Sequence, residues 1–154
     1  MEQLHFRFAN TNDVDLYYEW ANDPLVRSQS YRNNEINYND HVKWFNEKLR
    51  SDDCKFYLFV NENNIPVGQV RIDKSNEKVI IGISIDEKFR GKSFGNKMLL
   101  MATDHYLAEH PGASIYAYIK TNNVASYHAF KKAGFGSDSI VTEQGAESFE
   151  LIKK

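Results

Sequence analysis

One stretch of the sequence decides the fold, and it reads ISIDEKFRGKSFGN from Ile83 to Asn96. Its first residues favour a buried strand, whereas its last residues begin a helical spacing of apolar positions that continues through Met98, Met101 and Ala102. A strand that breaks into a basic, glycine-bearing turn and opens a helix presents unpaired backbone N–H groups at the positive helix end. The stretch therefore predicts a turn that binds phosphate or pyrophosphate.

Two nucleotide-binding motifs do not fit this turn. A Walker loop needs a glycine five positions before Gly91, where Asp86 stands, and the G-x-G-x-x-G fingerprint of Rossmann folds is absent. The alternative that the residues leave open is an ordinary capped helix start with an exposed basic turn.

Alternating apolar and polar residues predict most of the strands. The three consecutive strands that end at Ile85 are separated by short runs of turn-forming residues, and this pattern predicts an antiparallel meander. The predicted strands cover residues 4–8, 55–60, 67–73, 79–85, 115–119 and 149–152, with one more near 139–142.

Helical spacing and helix-stop residues predict the remaining elements. Helices are expected over residues 13–21, about 39–49, 94–110 and 122–133, with Pro24 stopping the first and a structured loop over 28–40. The order β-α-α-β-β-β-α-β-α-β, with the additional strand, predicts an α+β fold. We expect a mixed, largely antiparallel central sheet of six to seven strands with helices on both faces.

The composition describes one ordinary domain over residues 1–154. Of the 154 residues 42% are hydrophobic, and 19 basic against 21 acidic residues give a formal net charge of -2. This balance argues against a bulk electrostatic surface for nucleic acid or an anionic membrane. The N-terminal residues lack a secretory signal, no segment is apolar enough to span a bilayer, and Cys54 is the single cysteine. We therefore expect a cytoplasmic protein with neither a disulfide framework nor a metal site.

The basic turn resembles the acyl-CoA-binding motif of the GNAT superfamily of N-acetyltransferases, R/Q-x-x-G-x-G/A. Arg90 and Gly95 match, and Ser93 stands where the motif has its middle glycine. We expect Ser93 to cap the helix while its own N–H stays free. A second segment, NVASYHAFKKAGF from Asn123 to Phe135, resembles the later family motif N-x-x-S/A-x-x-x-Y/F-x-K-x-G-F. Together with the element order, the resemblance covers nearly the whole chain.

The resemblance implies that the cofactor is acetyl-CoA. The helix beginning near Ser93 would hold the pyrophosphate, with Arg90 and Lys92 nearby. The exposed edge of the preceding strand would pair with the pantetheine arm, and Asn123 would donate to the arm from the opposite wall of a cleft between splayed strands. The implied cofactor-binding residues are Ile83, Ser84, Ile85, Arg90, Gly91, Lys92, Ser93, Phe94, Gly95, Asn96, Asn123, Ser126, Phe130 and Lys132.

The N-terminal third resembles acetyltransferases that act on amino groups of nucleotide-linked sugars, above all those of the pseudaminic-acid pathway. The matching segments are EWANDPLVR over 19–27, SY at 30–31, HVKWF over 41–45 and PVGQVR over 66–71. The alternative is structural, because aromatic residues are often core, exposed arginines are common, and a histidine near a helix start can cap it. The implied substrate-binding residues are Arg27, Ser30, Tyr31 and His41.

The family's usual proton donor and base have no clear counterpart in this sequence. Phe130 stands where many family members have a tyrosine that protonates the departing thiolate. The neighbourhood of the frequent carboxylate base holds Ile80 and Ile81.

A base is nevertheless needed, since an alkylammonium acceptor has a pKa of about 10 and must lose a proton before it attacks. We expect His41 to be this base and Tyr31 to orient the acceptor or relay a proton through water. In the alternative, His41 caps its helix and Tyr127, His128 or solvent manages the protons.

The expected activity is acetyl-CoA-dependent transfer of an acetyl group to a primary amine, that of a UDP-linked deoxy-amino sugar. The alternatives are an acetyltransferase of a protein N-terminus, a ribosomal protein or a polyamine, and a non-catalytic acyl-CoA-binding module. Arg27, Tyr31, Arg32 and His41 favour the nucleotide sugar, because a polyamine pocket would be acidic. We expect a monomer or homodimer without nucleic-acid or membrane partners.

Overall fold

Strands and helices alternate along residues 3–154, the part of the chain that this computed structural model describes. The strands are β1 (His5–Phe8), β2 (Cys54–Val60), β3 (Pro66–Ser75), β4 (Lys78–Ile85), β5 (Ile115–Lys120), β6 (Gly136–Glu143) and β7 (Ala146–Lys153). The helices are α1 (Val14–Ala21), α2 (Pro24–Gln29), α3 (Tyr38–Arg50), α4 (Phe94–Glu109) and α5 (Val124–Lys132), with 3-10 turns at Thr11–Asp13 and Glu87–Phe89.

The seven strands form one mixed sheet in the order β1-β2-β3-β4-β5-β7-β6. The first four are antiparallel neighbours, which confirms the predicted meander. Strand β5 runs parallel to β4, and β7 lies between β5 and β6 and is antiparallel to both. The predicted α+β fold is confirmed, and the additional strand expected near 139–142 is the middle of β6.

Apolar side chains cover both faces of the sheet because alternate residues of a strand point to opposite faces. On one face, α4 and α5 pack against Ile115, Ala117 and Ile119 of β5 and against neighbouring strands. On the other face, α1 and α3 cover β2 through a cluster formed by Tyr17, Trp20, Phe45, Cys54, Phe56 and Leu58. The predicted placement of helices on both faces is therefore confirmed.

The structure differs from the sequence prediction at the corner between α1 and α2. Pro24 was expected only to stop α1, yet it is the first residue of a second helix. Asp23 caps this helix, since its Oδ1 accepts hydrogen bonds from the N–H groups of Leu25 (2.9 Å) and Val26 (3.4 Å). Proline suits the first helical position because its fixed φ is helical and its missing N–H is not needed there. The predicted loop consequently shrinks to residues 30–37.

No helix within residues 3–154 is both long enough and apolar enough to cross a bilayer. Across the same range, no three His, Cys, Asp or Glu side chains come together as a group that could hold a metal ion. Met1 and Glu2, which belong to the N-terminal segment used above to argue against a secretory signal, lie outside the described residues.

Candidate active site

A gap opens in the sheet between β4 and β5. Backbone pairing joins Val79 to Ile115 and Ile80 to Tyr116, and it extends no further between these two described strands. The rest of β4 keeps its antiparallel pairing with β3 and turns its other edge toward the gap. Such an unpaired edge can bind an extended, amide-bearing ligand as an added strand. The predicted cofactor-binding residues Ile83, Ser84 and Ile85 lie on this edge.

The turn after β4 brings the start of α4 beside the gap. Gly91 has a φ of 75° and Ser93 a φ of 63°, so the chain passes twice through the left-handed region before α4 begins. A Cβ atom at Gly95 would lie 3.5 Å from Ile85 Cδ1 and 3.6 Å from the Ala129 Cβ, which places the first turn of α4 between β4 and α5. The first N–H groups of a helix have no intrahelical acceptor, so this turn offers donors to an anion.

Ser93 does not cap α4 as the sequence predicts. It occupies the position before the helix, but its side chain makes no capping hydrogen bond. Its left-handed conformation explains why the resembling motif has glycine here, because an L-residue pays roughly 1 kcal/mol for this conformation. The turn thus keeps the backbone of the motif with a strained serine in place of glycine.

The guanidinium of Arg90 makes its contacts within the protein. Its Nε donates to the carbonyl oxygen of Ile85 at 3.1 Å, and its Nη2 lies 3.0 Å from Asp23 Oδ1. These contacts tie the turn to the end of β4 and to the corner between α1 and α2. Lys92 is exposed, with its ammonium 5.7 Å from the centre of the Phe89 ring, and Lys88 of the same turn is exposed as well.

A second contact joins the same corner to the turn. The indole Nε1 of Trp20 donates to Asp86 Oδ2 at 2.9 Å, and the N–H of Lys88 donates to Asp86 Oδ1 at 3.0 Å. Burial would raise the pKa of Asp86, but the hydrogen bonds from Trp20 and Lys88 hold it below its usual value. The WANDP segment, predicted from sequence to serve the acceptor, therefore holds in place the turn over residues 86–93, which we call the cofactor turn after its predicted role.

Helix α5 follows β5 and provides the other wall of the gap. Asn123 caps α5, because its Oδ1 accepts from the N–H of Ser126 at 3.3 Å, and its side-chain NH2 can still donate to a ligand. Phe130 is 3% exposed and packs edge-on against Phe135, so the structure places this ring in the apolar core. Lys132 is exposed at the end of the helix.

Arg27 and Ser30 organise the loop over residues 30–37. The guanidinium of Arg27 donates from Nε to the Ala21 carbonyl at 2.6 Å, from Nη1 to the Arg32 carbonyl at 2.8 Å, and from Nη2 to Ser30 Oγ at 3.2 Å. The Ser30 hydroxyl in turn donates to the carbonyl of Val26 at 2.7 Å. Both predicted substrate-binding residues thus make internal contacts that hold the loop against α1 and α2.

Tyr31 connects the loop over residues 30–37 to strand β7. Its hydroxyl lies 2.6 Å from Ser148 Oγ on β7, and the ammonium of Lys120 on β5 is 5.8 Å from the centre of its ring. Burial raises the pKa of Tyr31. The structure therefore brings one predicted acceptor residue onto the sheet beside the gap.

His41 lies between α1 and α3, where its side chain is 3% exposed. Its Nε2 is 3.0 Å from the carbonyl oxygen of Val14, and its ring stacks on Phe45 with an interplanar angle of 16°. Burial lowers the pKa of His41, which keeps the ring neutral at pH 7. The structure thus buries the predicted base in a helix interface, whereas its predicted partner Tyr31 contacts β7.

We call the side of β3, β4, β5 and β7 that faces away from α4 and α5 the polar face. A chain of hydrogen bonds crosses it: Lys78 Nζ donates to the Tyr118 hydroxyl at 2.7 Å, and that hydroxyl donates to Glu150 Oε2 at 2.7 Å. The Lys78 ammonium also lies 4.7 Å from the centre of the Tyr116 ring. The polar face includes Gln69, Arg71, Asp73, Ser75, Lys78, Ile80, Gly82, Ser84, Tyr116, Tyr118, Lys120, Ser148, Glu150 and Ile152.

Sequence reasoning missed this chain. Alternation in IYAYIK, residues 115–120, places Tyr116 and Tyr118 on one face of a strand, but nothing local relates them to Glu150. Glu150 meets Tyr118 because β7 returns antiparallel to β5 and sets the two residues opposite each other in the register. Only the strand order of the finished sheet contains this information.

Comparisons with known proteins agree with this geometry. Residues 3–136 match a family whose sequence profile is described as an acetyltransferase (GNAT) domain. The chain is 24% identical over 137 residues to the SPbeta prophage-derived uncharacterized N-acetyltransferase YokL of Bacillus subtilis (strain 168), covering 87% of this chain and 76% of that protein.

Solved structures show the same fold. A spermidine N-acetyltransferase from Vibrio cholerae, in complex with CoA and spermine, superposes with a TM-score of 0.87 at 15% identity, covering 98% of this chain and 95% of that one. The aminoglycoside acetyltransferase AAC(6')-Ib, in complex with coenzyme A, has a TM-score of 0.80 at 18% identity, covering 99% of this chain and 95% of that one.

Proposed function

This chain belongs to the GNAT family of N-acetyltransferases, whose acetyl donor is acetyl-CoA, and we propose that it acetylates the primary amine of a nucleotide-linked amino sugar. The charge of the polar face is the observation that favours this acceptor. Arg71, Lys78 and Lys120 bring three cations to it, together with tyrosine rings. They outnumber its two carboxylates, Glu150 and Asp73, and Asp73 is paired with Lys48. A diphosphate with an attached base and sugar suits cations and aromatic rings, whereas a polyamine would be repelled by them.

The residues of the gap fit the proposed cofactor. The unpaired edge of Ile83–Ile85 suits the amides of a pantetheine arm, and the N-terminus of α4 with Lys92 suits a pyrophosphate. Asn123 offers its NH2 from the opposite wall. Acetyl-CoA supplies the activated acetyl thioester, and the protein's part is to hold it in the gap and to orient the amine on the polar face.

Tyr31 supports an acceptor site on the polar face. It lies over β7 through its contact with Ser148, so the loop over residues 30–37 forms a side wall of the space above Tyr118 and Glu150. Arg71 forms another wall in front of the gap, since its Nη2 is the nearest atom, at 3.9 Å, to a Cβ built on Gly82. Placement in the cytoplasm stays a prediction of the sequence.

The test is CoA release by the purified protein with matched acceptors. A UDP-linked deoxy-amino sugar is compared with the same amino sugar lacking the nucleotide, with spermidine and with a peptide that has a free N-terminus. We expect the nucleotide-linked amine to have the highest kcat/KM, and Lys120→Gln to raise KM for it while leaving the free sugar unaffected. A higher kcat/KM for spermidine or the peptide would contradict the proposed acceptor, and no turnover with any amine would favour a non-catalytic acyl-CoA-binding module.

A further inference from the structure

The chain from Lys78 through Tyr118 to Glu150 lies where an acceptor nitrogen would have to be deprotonated. Strands β4 and β5 separate after Ile80 and Tyr116, so Tyr118 is the first residue of β5 on the polar face that borders the open gap. Across the gap, β4 presents Gly82, which has no side chain to fill the space in front of Tyr118, while Lys78 reaches the Tyr118 hydroxyl from the start of β4.

The acidic group missing from β4 is replaced by one on β7. The stretch of β4 that lines the gap carries isoleucines, glycine and serine, none of which can accept a proton at neutral pH. Glu150 is half-buried, lies opposite Tyr118 in the register and accepts the hydrogen bond of its hydroxyl. A proton arriving at the Tyr118 oxygen can therefore be passed to a carboxylate in one step.

We propose that Tyr118 and Glu150 form the proton-accepting relay of this enzyme, an inference that rests on the proposed N-acetyltransferase function. The acceptor ammonium gives one proton to the Tyr118 oxygen while Tyr118 gives its own proton to Glu150. The nitrogen lone pair then forms the N–C bond to the acetyl group and the C–S bond breaks. After the N–C bond forms, the nitrogen loses its second proton through water to the departing thiolate, and Glu150 releases the first proton to solvent.

The charged neighbours of Tyr118 assist this transfer. Lys78 reaches the hydroxyl from β4, Glu150 from β7, and Tyr116 precedes it on β5, with Lys120 following on the same face. The Lys78 ammonium occupies one lone pair of the hydroxyl oxygen and leaves the second for the acceptor. Its positive charge also disfavours the ammonium form of a nearby amine, which eases loss of the proton.

The kinetic test compares Glu150→Gln and Tyr118→Phe with Glu147→Gln, a control on the same strand whose side chain contacts Thr121. The probe is whichever of the UDP-linked amino sugar, spermidine or the peptide the wild-type enzyme acetylates. We expect kcat/KM at pH 7 to fall by about 100-fold in the two relay variants, the size of a general-base contribution. The loss should shrink as the pH approaches about 10, where the amine arrives neutral. An equal loss at every pH, or no loss, would overturn the relay.

A second measurement does not depend on the acceptor. Burial raises the pKa of Tyr118 and the Glu150 carboxylate raises it further, so removing that carboxylate should lower it. Ultraviolet difference titration of each protein against its Tyr118→Phe counterpart isolates this hydroxyl. We expect the midpoint to fall by about one pH unit in Glu150→Gln and to stay unchanged in Glu147→Gln.

An unchanged midpoint in Glu150→Gln would overturn the relay even if the enzyme is active. Absence of turnover with every amine would instead refute the proposed function, while the titration would still decide whether Tyr118 and Glu150 are coupled. The two failures are therefore distinguishable.

Discussion

The two sides of the gap are built by different means. On the cofactor side, backbone conformation does most of the work: an unpaired strand edge, two left-handed residues at Gly91 and Ser93, and a helix N-terminus. On the acceptor side, side chains from distant strands and a loop meet on the polar face, as in the contact of Tyr31 with Ser148 and the chain from Lys78 to Glu150. A short local segment can provide a binding turn made of backbone groups, whereas it cannot provide a site assembled from side chains of distant strands.

The corner between α1 and α2 connects the two sides. Trp20 and Asp23 hold the cofactor turn through Asp86 and Arg90, while Arg27 in α2 holds the loop that ends on β7. A segment that the sequence analysis predicts to serve the acceptor therefore also determines where the cofactor turn lies. Each variant below changes one side of the gap or the corner that joins them.

The largest expected effect is on the backbone of the cofactor side. A Cβ atom on Gly68 would lie 2.5 Å from the carbonyl oxygen of Ser84, next to the open edge of β4. Gly68→Ala should therefore force β3 and β4 apart and lower the free energy of unfolding by about 2 kcal/mol, as overpacked sites do. Gly82→Ala is the matched control on β4, because its nearest neighbour is a flexible Arg71 side chain at 3.9 Å. Denaturant unfolding measures both, and equal stability of the two variants would contradict the close approach.

The sequence predicted the strand, turn and helix of the cofactor side well because these elements are local. The turn from Ile83 to Asn96 contains a strand end, glycine and a helix start within fourteen residues, and the fold class followed from the periodicity around it. The conformation of Ser93 could not be predicted in this way, since a serine before a helix normally caps it. Its left-handed backbone, with a φ of 63°, has no signal in the neighbouring residues of the sequence.

The acceptor side could not be predicted to the same extent. Glu150 meets Tyr118 only through the position of β7 between β5 and β6, and an alternation pattern does not contain strand order. Arg27 illustrates the other difficulty, because a cationic residue in a loop can bind a ligand or its own backbone. Here its donors bind the carbonyls of Ala21 and Arg32.

The second prediction places a charge at the cofactor turn. Ser93→Asp should weaken CoA binding by about fivefold, because a carboxylate would face the pyrophosphate near the helix N-terminus, where one like charge in water costs about 1 kcal/mol. Ser93→Asn is the control, since asparagine tolerates a left-handed backbone and carries no charge. Calorimetry with CoA measures both. Because a negative charge near a helix N-terminus stabilises the helix, stability should not fall in Ser93→Asp. Equal affinity of the two variants would remove the turn from the binding site.

The third prediction concerns the corner between α1 and α2. Asp23→Asn keeps the helix cap but removes the charge that holds Arg90, so we expect CoA affinity to fall by roughly threefold, the scale of a partly exposed ion pair. Trp20→Phe removes the hydrogen bond to Asp86 and should act in the same direction. Asp40→Asn, in the first turn of α3, is the matched control with unchanged affinity. If neither corner variant alters CoA binding, the corner only supports the fold.

The smallest expected effect on activity belongs to His41, the base that the sequence predicts. Because its Nε2 contacts the Val14 carbonyl and its ring is buried against Phe45, we expect His41→Gln to change kcat/KM within about twofold, far below the 100-fold of a lost general base.

The stability of the protein should respond to the loss of His41 instead. Burial lowers the pKa of His41, so the unfolded chain binds a proton more readily than the folded protein. The ring therefore contributes stability that is present above its unfolded pKa of about 6.5 and is lost as the pH falls through the folded pKa. Unfolding free energies from pH 8 to 5 should decline in the wild-type protein by a component that His41→Gln lacks, with His5→Gln in β1 as the control that retains it. The outcome that would contradict this prediction is a large loss of kcat/KM in His41→Gln that follows an ionisation near pH 6.5, with stability unchanged. His41 would then be the base that deprotonates the acceptor.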